Sequence, residues 1–434
     1  MTWKCTNTPK GDNKLYSDAK GVVPSLDLRF AEGKTLNDYM TGQNLITFSR
    51  PVGANQSPGT YVDENGIIQL SSADTPRFDH DPTTGESLGL LIEESRTNLV
   101  TYSEQFDNAA WVKSGDSAVT ADQTVAPDGT TTADLLTCSN AGPNRVTNLV
   151  SVSASTDYTA TVFVKSGDRT HLGIRLYIFG GTFVDLICNF EFASGTFSYI
   201  SGPGTLSATP YPNGWYRLTI TIGTGNNTSL EFRLGGAYIN EGTGTTAYLW
   251  GAQLEAGSFP TSYIPTTGTA LTRSADVASI TGTNFSSWYN PNQGTIYAKN
   301  TYQGTGIQKS FWTLKDSLNN STDYIGLVVK TSGQLRAASN KAGALQLFIN
   351  GIGAITEGDN VHTAVALQEN NCAFCTDGGS VLPDTTVLLS DNLERLLIGY
   401  LYDPTVQQLT GHIARLTYFP ERLPDSSLQT MTTP

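Results

Sequence analysis

Residues 158–164 of this chain alternate so that Tyr158, Ala160, Val162 and Val164 share one face and Thr159, Thr161 and Phe163 the other. Period-two alternation marks a strand half-buried in a sheet. Comparable stretches follow at 171–179, 182–192, 215–222, 229–234 and 247–254, separated by Gly- and Asn-rich turns, which is the pattern of an antiparallel β-sandwich. A second series at 294–299, 310–314, 324–330, 344–349, 362–367, 393–400 and 411–418 predicts a second sandwich. Helical periodicity is confined to 424–431, where Asp425 or Ser426 offers an N-cap. No heptad run and no repeat on the scale of a solenoid unit interrupts this pattern.

The fold class that follows is all-β: tandem antiparallel β-sandwich (jelly-roll) domains with a small irregular N-terminal region. A chain of 434 residues has room for two or three domains. Residues 1–100 are punctuated by glycine and aspartate and carry only short strand-like pieces, at 26–30, 45–48 and 67–70. They read as a small β unit or an extended, irregular region that packs on a neighbour or on another chain, and the first 40 residues as an extended segment that orders on docking. Residues 101–265 form the first sandwich and 266–434 the second. The run 259–268 carries Pro260 and Pro265, which exclude helix and central strand, and so reads as a linker or an extended domain edge.

Composition narrows the function. Only 15% of residues are charged while aromatics reach 10%, enough for several cores and contrary to a disordered chain. The balance of 26 basic against 39 acidic residues gives a net charge of −13, and no window holds a run of Lys and Arg. Nucleic acid and anionic membranes are therefore disfavoured partners. The polar start predicts no signal peptide, and the longest apolar runs, such as 88–92 and 325–329, are too short to span a bilayer. Five scattered cysteines, Cys5, Cys138, Cys188, Cys372 and Cys375, make no disulfide framework. The lone Cys372-x-x-Cys375 would need distant partners such as His362 to hold zinc, so buried reduced thiols are the expectation.

Several blocks carry a family resemblance. Residues 75–99, with Arg77, His80, Glu93, Arg96 and Asn98, are similar to a segment common in structural proteins of tailed bacteriophages. Residues 102–111 ending in Trp111, the turn 126–129, Asn213-Gly214-Trp215-Tyr216-Arg217 and residues 248–265 around Trp250 resemble the carbohydrate-binding-module-like sandwich of phage fibre and spike proteins. The closing residues 409–428 are similar to the last strand and turn of concanavalin A-like (laminin G-like) jelly rolls attached to the same proteins. The resemblance implies a virion component, assembled in the host cytoplasm, with an N-terminal anchor to other virion proteins, a homotrimeric state and a host surface polysaccharide as ligand. Neither nucleic-acid binding nor membrane insertion is expected of it.

Sugar recognition uses aromatic faces against C–H patches, with amide, carboxylate or guanidinium groups for the hydroxyls. The candidates are Trp215, Tyr216 and Tyr177, with Arg175 and Gln253 as polar partners on neighbouring strands; Tyr238 is a further aromatic, and Trp111 and Trp250 read as core. Adjacent aromatics on a strand point to opposite faces, so one of Trp215 and Tyr216 should face outward. Trp288-Tyr289 and Phe311-Trp312 should likewise each expose one ring. No catalytic residue is assigned: a glycosidase needs two carboxylates across a groove, Glu93 and Glu94 point apart, and Asp185 and Glu191 read as a solvated hairpin face. The four histidines, His80, His171, His362 and His412, are too dispersed to suggest a triad. No cofactor is expected, with calcium left open at the loops around Asp79, Asp81 and Asp122. Three functions stay open: a glycan-binding or adhesive virion part, a purely architectural one such as a capsid decoration or tail component, and, last, a polysaccharide depolymerase.

Overall fold

The computed structural model describes residues 13–139, 144–238, 242–304, 308–317, 322–402 and 407–434. The alternation of residues 158–164 does what it predicts. Tyr158, Ala160, Val162 and Val164 lie in a core between two sheets. One sheet has the order Ala118–Thr124, Ala133–Thr137, Thr246–Ala256, Asp157–Ser166, Trp215–Gly223, Thr205–Tyr211. The other runs Thr196–Ser201, Val184–Glu191, His171–Phe179, Ser229–Gly235, Arg145–Ser151, Val112–Ser114. Every pairing in both is antiparallel.

The second sandwich is assembled from both ends of the chain. Its eight-stranded sheet holds Gln293–Asn300, Val361–Gln368 and Gly411–Phe419, and beside the last of these Ser87–Ile92 and Leu26–Leu28. Its seven-stranded sheet runs from Thr47–Ser49 through Val277–Thr281, Arg395–Ile398 and Lys309–Lys315 to Ala344–Ala354 at the far edge. Leu26, Leu28, Phe30, Leu90 and Ile92 share one core with Ile296, Trp312, Ile398 and Tyr418. Residues 1–100 therefore pack on a neighbour as strands of its own sheets, and not as an irregular region beside it. Their strands are too short to show alternation, yet they complete the sheets of residues 277–419. The first sandwich is thus inserted between Arg96–Asn98 and Leu271–Arg273, which pair antiparallel where the chain crosses out and back.

Of the expected docking segment within the first 40 residues, residues 1–12 lie outside the described residues, and the rest is not extended. From residue 13 onward it is folded: Asn13–Asp18 is a helix, and Leu15 and Ala19 pack with Leu428 and Met431 of the C-terminal helix Asp425–Thr432. The Asp27 carboxylate, fully buried, accepts from Arg415 Nη2 at 2.8 Å and Thr417 Oγ1 at 2.7 Å. The C-terminal helix is where the sequence places it, but Pro424 is its N-cap, with no side-chain capping bond.

Residues 259–268 are a clasp, not a linker. Tyr263 and Ile264 are buried. Because two prolines keep this run out of the ladders, its amides are met by side chains: Ser262 N donates to Glu93 Oε1 (2.7 Å), Thr261 N to Glu255 Oε1 (2.8 Å) and Ile264 N to Gln253 Oε1 (2.7 Å). Beside it lies an ion cluster closed to solvent, in which Arg77 reaches Glu93 at 2.7 Å and Asp276 at 2.5 Å, Arg50 reaches Asp276 at 2.7 Å and Arg273 reaches Glu93 at 3.0 Å. Glu93 is held down at about 2: burial alone would raise it, and Arg273 and Arg77 outweigh that penalty. Ion clusters this dry contribute little net stability but make the loss of one member costly.

Cys372 lies in the core between the sheets and Cys375 on the opposite, helix-covered face, so the two thiols cannot meet at one metal. Among the described residues, no group of three or more His, Cys, Asp or Glu side chains could hold a metal ion. Asp79 accepts from Val62 N at 2.6 Å, Asp81 closes a turn by accepting from Thr83 and Thr84 N, and Asp122 N donates to Asp134. Among the described residues no helix is long and apolar enough to cross a membrane.

Candidate functional site

The aromatic and polar residues of the first sandwich divide between its two outward faces, and the faces have different fates. On the sheet containing Asp157–Ser166, the outward residues are Phe163, Trp215, Arg217, Trp250, Gln253 and Glu255. Trp215 is 1% exposed under Val62, Ile68 and Tyr263, and its Nε1 donates to Val125 O at 3.1 Å. Trp250 packs 4.8 Å from Tyr263 and 5.4 Å from Phe163. Gln253 is fully buried, bonded to Glu255 and to the clasp. Arg217 donates to Thr261 O at 2.7 Å. This face is covered by residues 62–68 and the clasp, so Trp215 and Gln253 are closed off from a sugar.

Tyr216 does point opposite to Trp215, as strand geometry requires, but it points inward. It packs edge-on against Phe190 at 5.1 Å, at the rim of the core. Trp288, Phe311 and Trp312 are also buried, and Tyr289 packs against the same core. Phe311 and Trp312 both reach the core because a bulge between Ser310 and Trp312 breaks the alternation. None of these pairs exposes a ring in the way strand alternation suggested.

Among the described residues, no second layer covers the other outward face. Cross-strand register places Thr147, Arg233, Arg175 and Ile187 in one row and Leu149, Glu231, Tyr177 and Asp185 in the next. Arg175 grips Asp185 in a two-bond fork, Nε to Oδ1 and Nη2 to Oδ2, both at 2.7 Å. Arg233 Nε donates to Glu231 Oε2 at 2.7 Å. Both guanidiniums lie near the ring of Tyr177, with Arg233 Cζ 4.0 Å and Arg175 Cζ 4.9 Å from its centroid. Phe183, 4.9 Å from Tyr177 and 52% exposed, and Phe179, at 5.6 Å, extend the aromatic strip.

Arg145 borders this group one row further along, opposite Gly235. It lines a cleft of about 370 Å3 with Val112, Thr147, Leu149 and Glu231. Tyr238 crosses the same row because Gly173 lacks a side chain: a Cβ there would collide with the Gly236 carbonyl and press on the Tyr238 ring. Burial pushes the Tyr238 hydroxyl up to about 12, against the pull of Arg175, Arg233 and Arg145, all three close enough to act on it.

Of the five predicted site residues, the structure unites Arg175 and Tyr177 and removes Trp215, Tyr216 and Gln253; Arg175 and Gln253 lie on different sheets. Arg233, Glu231 and Arg145 were missed. The strand Ser229–Gly235 does alternate polar Ser229, Glu231 and Arg233 with Leu230, Phe232 and Leu234. What local sequence does not carry is its place beside His171–Phe179, more than fifty residues earlier.

Two histidines meet a carboxylate or a carbonyl elsewhere, at the seam of the sandwiches. His412 Nε2 is 2.9 Å from Asp79 and its Nδ1 3.1 Å from Thr301 Oγ1, while His80 Nδ1 is 2.9 Å from Val62 O. The Thr301 hydroxyl also accepts the His412 backbone N–H, which makes it a structural tie.

No family model matches the chain, and no curated protein matches it. Solved structures to which it is similar include a carbohydrate-binding module of an intramolecular trans-sialidase from Ruminococcus gnavus bound to α2,3-sialyllactose (TM-score 0.30, 15% identity, 33% of this chain and 84% of that one). Others are the NanB sialidase of Streptococcus pneumoniae (TM-score 0.31, 12% identity, 35% and 26%) and domain 4 of an arabinanase from Geobacillus stearothermophilus in complex with arabinotriose (TM-score 0.31, 12% identity, 40% and 82%).

Proposed function

We propose that this protein is a structural component of a tailed-phage virion whose first sandwich displays a glycan-binding surface to the host. The observation that carries the binding role is the sheet face on which Tyr177, beside Arg175 and Arg233, adjoins Phe179 and Phe183 and two oriented carboxylates. An aromatic platform rimmed by fixed donors and acceptors is what a polyhydroxylated ring requires. The virion role rests on the phage-like blocks. One of them supplies Arg77 and Glu93 to the buried junction, and others supply the buried Trp111 and Trp250, so the resemblance lies in the framework. A homotrimer held to other virion proteins by its N-terminal end is part of the same reading. Binding is favoured over hydrolysis because Asp185 and Glu231 are each committed to an arginine.

A purely architectural role is the second reading. Val112, Leu149 and Phe183, apolar and more than half exposed on or beside this face, would suit a subunit contact equally well. Fluorescently labelled full-length protein added to host cells, with and without competing surface polysaccharide, separates the two. The proposal expects polysaccharide-competed binding that Tyr177→Ala lowers at least tenfold. Absent binding, with Tyr177→Ala instead altering the native mass of the assembly, would establish the architectural reading.

A further inference from the structure

The second sandwich has a cleft of its own, at the edge where its two sheets end. Thr47–Ser49 closes the seven-stranded sheet there and Phe78–His80 the eight-stranded one. Phe48 and Phe78 pack against the core from these two strands but are only partly buried, because among the described residues no further strand follows either of them. Both line a cleft of about 500 Å3, within the roughly 300–1,000 Å3 typical of small-ligand sites. Leu36 and Ile46, both buried, add to its apolar lining.

The polar lining is held in place by the fold. Asn37 and Asn44 face each other as an antiparallel bridge pair. The loop between them is pinned by Asp38, a fully buried carboxylate whose Oδ1 accepts from Asp27 N at 2.8 Å and whose Oδ2 accepts from Thr41 N at 2.9 Å and Thr41 Oγ1 at 2.8 Å. Asn44 Oδ1 accepts from Ile46 N at 2.9 Å, which fixes the amide and leaves Nδ2 to donate elsewhere. Among the described residues, neither Asn44 Nδ2 nor the side-chain amide of Asn37 has a partner. Asp74, in the same lining, is held through Oδ1 by Arg50 N at 2.8 Å and Ser49 Oγ at 3.2 Å, so Oδ2 is left as an acceptor. Lys34 is taken by Glu64 at 2.7 Å.

We infer that this cleft is a second saccharide site, which takes a neutral glycan with a ring against Phe48 and Phe78 and hydroxyls bonded to Asn37, Asn44 and Asp74. Aromatic faces receive the C–H patches of a sugar ring, and a side-chain amide offers the donor and acceptor that neighbouring hydroxyls require. Because the loop of Asn37 and Asn44 is already pinned, little freedom is lost when a ligand bonds them. An acidic sugar gains nothing here, since Lys34 is paired and Asp74 would oppose its charge. The inference goes beyond the reading above: the cleft belongs to the other sandwich and uses none of the residues around Tyr177.

The test is calorimetric titration of the full-length Tyr177→Ala protein, in which the first-sandwich surface is disabled, with dextran, galactan, mannan and polygalacturonate. At least one of the neutral polymers should bind, and more tightly than polygalacturonate. Adding Asn37→Ala, at an exposed position, should weaken that binding about fivefold, the measure of one lost hydrogen bond. Adding Phe78→Ala instead should weaken it at least tenfold by removing the platform. Circular dichroism of each variant reports the fold, and Asn37→Ala alone decides the matter if Phe78→Ala unfolds. Neutral binding that survives Asn37→Ala, tighter binding of polygalacturonate, or no binding of any polymer overturns the inference. Unsubstituted protein titrated in parallel keeps the two readings apart: a polymer bound by it and not by Tyr177→Ala leaves the Tyr177 surface standing alone.

Discussion

The two outward faces of the first sandwich look alike in sequence and do opposite things. Each presents aromatic rings beside arginine and carboxylate: Trp215, Trp250, Phe163 and Arg217 with Glu255 on one, Tyr177, Phe179, Phe183 and Arg175 with Asp185 on the other. The first is covered by residues 60–70 and the clasp; the second meets solvent. Aromatic and polar alternation therefore identifies a face able to pack or to bind, and only its cover decides which. The larger, flatter indoles are on the covered side, where burial rewards them most.

The sharpest way to break this contrast is to open the covered face. Arg77 bridges Glu93 and Asp276, so Arg77→Ala takes one partner from each of two buried carboxylates, leaving Arg273 and Arg50 alone to balance them, and should cost about 3–5 kcal/mol, read as a large drop in the urea midpoint. An unchanged midpoint would mean that the ion cluster does not secure the junction. Trp215→Ala should come next, losing about 3–5 kcal/mol for a buried indole, whereas Tyr177→Ala on the open face should cost about 1 kcal/mol. Equal destabilisation by the two would erase the distinction between the faces.

The smallest effect extends the rule to the second sandwich, where His362 is set directly across from Lys299 and 2.9 Å from the Tyr297 hydroxyl. Burial, then Lys299 and Lys14, lower His362 to about 4. A histidine depressed in the fold adds stability that is present above its ordinary value near 6.5 and is lost as pH falls through that value toward about 4. The melting temperature should decline over that interval, and His362→Gln should flatten the decline. An identical pH profile in the variant would show that this histidine is not the sensor.

Much of the fold was legible because it is local. The strands at 158–164, 171–179 and 215–222 alternate cleanly over long runs, and each is found within a residue or two. The strands Leu26–Leu28, Thr47–Ser49 and Phe78–His80 were not legible as parts of a sandwich. Three residues hold too little alternation to show a period, and the partners of Leu26–Leu28 and Thr47–Ser49 lie more than 200 residues away, while Phe78–His80 joins the sheet only through its neighbour Ser87–Ile92. The site divides in the same way. Arg175 and Tyr177 were found because they lie two apart on one strong strand, while Arg233 and Arg145 depend on which strands lie side by side.

By itself the sequence determined the chemistry of each strand: which side chains share a face, where turns interrupt, and that the chain folds as β-sandwiches with no local signature of catalysis or metal binding. The tertiary structure decided the rest: that one sandwich is inserted in the other, that Trp215 and Gln253 are interior, and that Arg145, Arg175, Arg233 and Tyr177 form one surface. Facing is set by the two-residue repeat of the strand, which is written locally. Covering is set by long-range packing, where a buried ion cluster and a proline-bound clasp join segments whose sequences carry no mark of one another.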